Sequence, residues 1–297
     1  MEKITRRELL KRTAMVAGCT LLLNRPVNVW ANSNDKTAKS KVILIRNKNL
    51  YDDSGNLDAK ICETMLNEAV CNLTGKKKNQ DAWKTIIKPS DTVGIKTNAW
   101  NGLPTPPVMN DILKQNVLKI GVPEDKVSID DRGVKKNPVF QSATALINIR
   151  PMRTHAWSGV GSLIKNYIMF AEKPSDYHED SCAVLGSLQE LPMIKGKTRL
   201  HILVMFTPQF HHIAPSAFTE EYSWKYNGLL AGFDPVAVDT VGLKIIEAKR
   251  KDHFKEDKPL NPPAKHIVAA DTRYHLGVSD PAKIELITLG WDENRFV

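Results

Sequence analysis

Four runs in this 297-residue chain set chemically capable side chains directly after apolar stretches: Lys96-Thr97-Asn98, Asp130-Asp131-Arg132, Arg150 through His155, and Pro208-Gln209-Phe210-His211-His212. The richest neighbourhood runs from Arg150 to Asn166. Arg153 offers a planar fork for a carboxylate or phosphate, His155 a proton-transfer group, and Lys165 a compact positive charge. Between them, Gly159-Val160-Gly161-Ser162 reads as a glycine turn that opens a helix. Free backbone N–H groups and the positive dipole end at such a position suit an anion. Neither G-x-x-x-x-G-K-[ST] nor G-x-G-x-x-G occurs there, so it is neither a P-loop nor a dinucleotide fingerprint. The plainer alternative is a glycine turn flanked by surface cations, with His155 a hydrogen-bonded structural histidine.

Asp239 lies in the apolar run Val236-Ala237-Val238-Asp239-Thr240-Val241. A carboxylate on such a stretch must find a partner or shift its pKa. A salt bridge to Lys96 or Lys165 is the structural answer, and a general base or metal ligand the functional one. His178-Glu179-Asp180 offers ligands for a hard or borderline metal, or else an acidic turn before a helix. A divalent metal held by some of His155, His178, Asp130 and Asp239 would change acid–base chemistry into Lewis-acid catalysis. His211 and His212 are adjacent, a spacing that does not put two ligands on one helix face, and read as loop residues. Gly-x-Ser-x-Gly, His-Glu-x-x-His and EF-hand patterns do not occur, which removes the serine hydrolase and zincin readings.

These groups need elements to hold them. Apolar runs of strand type occupy residues 41–46, 92–97, 126–130, 143–149, 200–205 and 283–289. Helical spacing occupies 58–73, 82–87, 108–120, 161–170, 182–191, 234–249 and 264–270, with Gly75 and Gly121 as stops and Asp234-Pro235 as a start. Strands alternating with helices predict an α/β fold, a mostly parallel sheet flanked by helices in one domain over 41–297. In such sheets ligands bind beyond the carboxyl ends of the strands. Those ends are where the runs above fall.

The run from Leu146 to His155, followed by Leu163-Ile164-Lys165-Asn166, resembles the signature of the domain-of-unknown-function 362 family: a strand, Pro-x-Lys-x-His, then a Lys-Asn pair. The resemblance extends to Val93-Gly94-Ile95-Lys96-Thr97-Asn98, to His178 and to the segment from Gly232 to Asp239. Arg153 stands where that family usually has Lys, and Tyr167-Ile168-Met169 replaces a common continuation into Gly. The resemblance implies a fold and a site, and no particular reaction. Some relatives carry an appended ferredoxin-like iron–sulfur segment, which this sequence lacks.

The N-terminus reads as an address. Arg6-Arg7 precede an apolar core at 13–23 and a small-residue cleavage site at Ala31, so 1–31 is a twin-arginine signal peptide and 32–40 a flexible link. The expected location is periplasmic, with the twin-arginine export machinery as a partner. Val16-Ala17-Gly18-Cys19 also resembles a lipobox, the alternative being a membrane-anchored lipoprotein lipidated at Cys19. The apolar core is too short for a settled transmembrane helix, so none is expected in the mature chain. The formal charge is +9, but residues 1–31 hold six basic residues against two acidic ones, leaving +5. No run of four basic residues occurs, and nucleic acid is not an expected partner. Cys62, Cys71 and Cys182 form no C-x-x-C, so no iron–sulfur cluster is encoded. Cys62 and Cys71 share a predicted helix, face opposite sides and cannot bridge.

The functional expectation is an exported enzyme that takes a small anionic ligand, a carboxylate or phosphate. Lys96, Arg153 and Lys165 bind or polarise the anion, His155 transfers a proton, Asn98 and Asn166 orient, and Asp239 steadies a cation or acts as base. The competing expectation is a non-catalytic anion- or metal-binding accessory protein of the cell envelope.

Overall fold

A computed structural model describes residues 39–212 and 218–297. The signal segment 1–31, Cys19 and most of the link 32–40 lie outside the described residues. The described part is an eight-stranded mixed sheet with helices on both faces. The strands are β1 (Ser40–Arg46), β2 (Val93–Lys96), β3 (Val127–Asp130), β4 (Ala145–His155), β5 (Gly159–Gly161), β6 (Thr198–Gln209), β7 (Gly228–Gly232) and β8 (Ile284–Gly290). Their order is β3-β2-β4-β6-β7-β1-β8, with β5 paired to β4. Six strands run one way, and only β7 and β5 oppose them.

The period-two alternation of each strand feeds two separate cores. Val42, Leu44, Leu146, Leu203 and Leu230 face one layer, where α5 (Pro235–Phe254) and α6 (Lys265–Thr272) pack. Ile43, Ile45, Ile147, Ile202 and Leu229 face the other. That second layer is α1 (Ala59–Thr74), α2 (Asn79–Ile86) and α3 (Pro107–Lys119). Asp58 caps α1 by accepting the Ile61 N–H, and Gly75 closes it at φ 68°. Asp234 caps α5 through the N–H groups of Val236 and Ala237 and also accepts Ser40 Oγ and the Val278 N–H. One carboxylate thus ties β1, α5 and the approach to β8 together. Cys62 and Cys71 both lie on α1 as free thiols. Among the described residues no helix is long and apolar enough to cross a membrane.

Three expectations change. β4 continues past 149 to His155, because its carboxyl half is covered on both edges: Arg153 pairs with Gln209 of β6 and with Gly161 of β5. Gly159-Val160-Gly161 is therefore a strand and not a helix-opening turn, and the expected helix over 161–170 is one α turn, α4 (Leu163–Asn166), followed by a 3₁₀ stretch. The helical segment expected over 182–191 is present, as a 3₁₀ helix (Ala183–Glu190). β7 was not expected at all. It is five residues long with glycine at both ends, too short and too glycine-rich to carry a strand signature.

Candidate functional site

β2 ends at Lys96, level with Asn148, whereas β4 runs seven residues farther. The two strands part there, and α4 closes the gap. Asn166 Nδ2 donates to the Asn148 side-chain carbonyl at 2.8 Å and to the Lys96 carbonyl at 3.2 Å, and its Oδ1 accepts Lys96 Nζ at 3.3 Å. Asn148 Nδ2 donates in turn to the Leu163 carbonyl at 2.9 Å. The buried amides satisfy the backbone groups that the parting strands leave behind.

The result is a cavity of about 260 Å³ beyond the carboxyl ends of β2, β3 and β4. Arg150, Arg153 and Lys165, all buried, line it, and the buried Lys96 stands directly behind, paired to the lining residue Asp131. Lys96 is bound to Asp131 at 2.5 Å and to the Thr97 carbonyl at 2.7 Å. Arg150 reaches only carbonyls, of Pro151 and Ser162, both at 3.2 Å. Arg153 donates to the Thr154 carbonyl, lies 3.8 Å over the Trp100 ring, and keeps a buried Nε with no partner among the described residues. Lys165 Nζ meets the Cys182 sulfur at 3.5 Å. That sulfur is delivered by three successive residues in the left-handed region, Asp180, Ser181 and Cys182.

Burial pulls Lys96 and Lys165 down to about 8, Arg153 to about 9 and Arg150 to about 10, with Arg150 lowering the other three further. Burial would by itself raise Asp131, but the Lys96 ammonium, the Ala99 N–H and Arg150 outweigh it and hold the carboxyl below its usual range. His155 is pushed to about 2 by burial and then by Arg153, Lys165 and Arg150. Its ring is neutral, and since Nδ1 accepts the Trp157 N–H at 3.2 Å, Nε2 carries the proton. His155 is thus placed as a hydrogen-bond donor.

Of the residues singled out by type and spacing, Asn98, Arg153, His155, Lys165, Asn166 and His178 line this cavity, and Lys96 lies behind its wall, bonded to the lining residues Asp131 and Asn166. Asn98 presents a buried Oδ1 with no partner among the described residues. His178 stacks on Trp157 at 4.3 Å between ring centroids. Two residues fall elsewhere. Asp130 accepts the Gly133 N–H and Asn137 Nδ2 in a turn, and it is Asp131, one residue on, that faces the cavity. Asp239 makes neither of the salt bridges expected of it. Its two oxygens accept the N–H groups of Leu163 and Ile164 at 2.8 and 3.0 Å. The helix start expected to cradle an anion is already occupied by this carboxylate, so the cavity's anion affinity has to come from side chains.

Among the described residues no group of three or more His, Cys, Asp or Glu side chains is arranged to hold a metal. Trp100, Trp157 and Cys182 join the site unforeseen, and Arg150 and Asp131, named at first only as members of their runs, are central to it. Arg150 carried a signal, since an arginine inside an apolar strand has to be compensated. Gly161 is the trace of that compensation: a Cβ there would lie 2.5 Å from Arg150 Nη2. Gly159 sits at φ 71° against the Pro262 carbonyl, where a side chain fits in neither respect.

Residues 94–244 match the family described as a domain of unknown function (DUF362). The chain belongs to that family. The matched span carries β2 through the first half of α5, and with them every residue of the cavity named above. Neither the curated proteins nor the solved structures contain a match to the chain.

Asp239 generates a pH test. Burial raises its carboxyl to about 6, against the opposing N–H bonds, so the folded state holds a proton that the unfolded state has lost between about pH 4 and 6. The contribution is present below the unfolded pKa and lost as pH rises through 6. Relative to Asp239→Asn, the unfolding free energy of the wild type is expected to fall by on the order of 3 kcal/mol from pH 4 to 7, measured by urea denaturation.

Proposed function

We propose that the protein is an exported enzyme that binds a small carboxylate or phosphate in this cavity and acts on it by proton transfer. One observation carries the reading: four buried cations, Lys96, Arg150, Arg153 and Lys165, stand near two buried carboxylates, Asp131 and Asp239, and among the described residues only Lys96 has a carboxylate partner. A buried charge without a counter-ion is costly, and a site built this way is relieved by an anion. Arg150 and Arg153 hold the anion, Asn98 and the Nε2–H of His155 orient it, and Asn166 keeps Lys96 and Lys165 in place. The proton comes from Lys165. Its pKa near 8 is close to working pH, and among the described residues its hydrogen-bond partner is a thiol, whereas Lys96 is already fully engaged. Acid–base chemistry is favoured over metal-assisted chemistry because Asp130 and Asp239 stand apart from the cavity that His155 and His178 line.

A non-catalytic anion-binding accessory protein is the second reading, favoured by the neutrality of His155, since cations alone suffice for binding. Lys165→Arg separates the two, because it keeps the charge and removes a proton donor of suitable pKa. With a panel of small phosphate esters and carboxylates, the variant is expected to retain inorganic phosphate affinity while kcat falls about a hundred- to ten-thousandfold, and wild-type kcat is expected to decline above about pH 8. Phosphate binding with no turnover by the wild type on any member favours the accessory reading.

The export proposal rests on Arg6-Arg7, the apolar core and Ala31. Replacing both arginines by lysine is expected to leave the precursor inside the cell. Mass spectrometry of the exported wild type should find Asn32 as the first residue; an acylated Cys19 there would establish the lipoprotein alternative.

A further inference from the structure

The cavity has two unlike halves. Its floor is the cation set, and its lip is apolar and aromatic: Trp157, 52 % exposed and stacked on His178, with Ile168, Met169 and Pro174 beside it. Trp157, Phe218 and Val268 are the exposed large hydrophobic side chains among the described residues, and Trp157 is the one on the cavity. A bare inorganic anion has no use for such a lip. Volume points the same way. The cavity, at about 260 Å³, has room for more than an isolated phosphate or carboxylate group.

The charge count adds a second constraint. Four buried cations against the two buried carboxylates leave an excess of two positive charges. Arg132 also lines the rim, but it is solvent-exposed and its charge is screened by water. Neutralising the buried excess takes a ligand with two negative charges.

We infer that the ligand is an organic dianion, a doubly charged oxyanion group carried on an apolar or aromatic body, with the charged end on Arg150, Arg153 and Lys165 and the body against Trp157. This rests on the anion-cavity reading above and names its ligand class. A phosphate monoester and a dicarboxylate share that chemistry.

The test is calorimetric titration of the purified protein at pH 7.5 and fixed ionic strength with three probes. Phenyl phosphate is a dianion with a body, phenyl sulfate its near-isosteric monoanion, and inorganic phosphate the head without the body. Phenyl phosphate is expected to bind at least about tenfold more tightly than each of the others. Trp157→Ala, at an exposed position that does not threaten folding, is expected to remove the advantage over inorganic phosphate and leave inorganic phosphate affinity unchanged. Equal affinity for phenyl phosphate and phenyl sulfate overturns the dianion count. Equal affinity for phenyl and inorganic phosphate, unaltered by Trp157→Ala, overturns the role of the lip. If none of the three binds, the anion-cavity reading itself fails. Should phenyl phosphate behave as expected, succinate and phenylsuccinate titrations tell the two sources of a dianion apart.

Discussion

Taking a cation out of water is unfavourable unless something answers its charge, and four are taken out of water where β2 and β4 part. Most of the local architecture follows from that. Lys96 is answered by Asp131. Arg150 is given backbone carbonyls, Arg153 an aromatic face and Lys165 a sulfur. None of the last three brings a full negative charge, so all four pKa values fall and His155 is driven neutral. Gly161 of β5 is small because Arg150 lies against it. Asn166 and Asn148 knit the parted strands so that the cations stay in place when they repel one another.

Asp239 shows how the same constraint reaches the second layer. From inside α5 it accepts the first free N–H groups of α4, and Ser162, which precedes them, has its Oγ 2.8 Å from His266 Nε2 of α6. The turn that carries Lys165 and Asn166 is thereby fixed to two helices. The residue acts on the site by positioning that turn, and its charge also partly offsets Arg150.

Much of this was legible in the sequence. Period-two and helical spacing located six of the strands and all the long helices, because those segments bury one face each. Six of the nine residues selected for chemistry meet in one cavity and Lys96 lies just behind it, since a parallel arrangement gathers the carboxyl ends of its strands at one edge. The losses have physical reasons. Asp130 and Asp131 are neighbours, and strand register decides which one turns inward. Gly159 to Gly161 fits either a helix-opening turn or a short strand, and the choice depends on an edge of β4 that only the three-dimensional arrangement leaves open. Asp239 was expected to seek a cation, but backbone N–H groups at a helix start satisfy a carboxylate equally well.

The central claim is that the cavity is short of negative charge and that an anion supplies it. The most direct test is thermal unfolding with phosphate substituted for chloride at constant ionic strength. At about a hundred times its Kd, a ligand bound only by the folded state adds about 2.7 kcal/mol, so Tm should rise by roughly 5–10 °C for a chain of this size, and Arg153→Gln should diminish the rise. A Tm that is the same in phosphate and chloride would contradict the account, because cations left buried without counter-ions would then gain nothing from one.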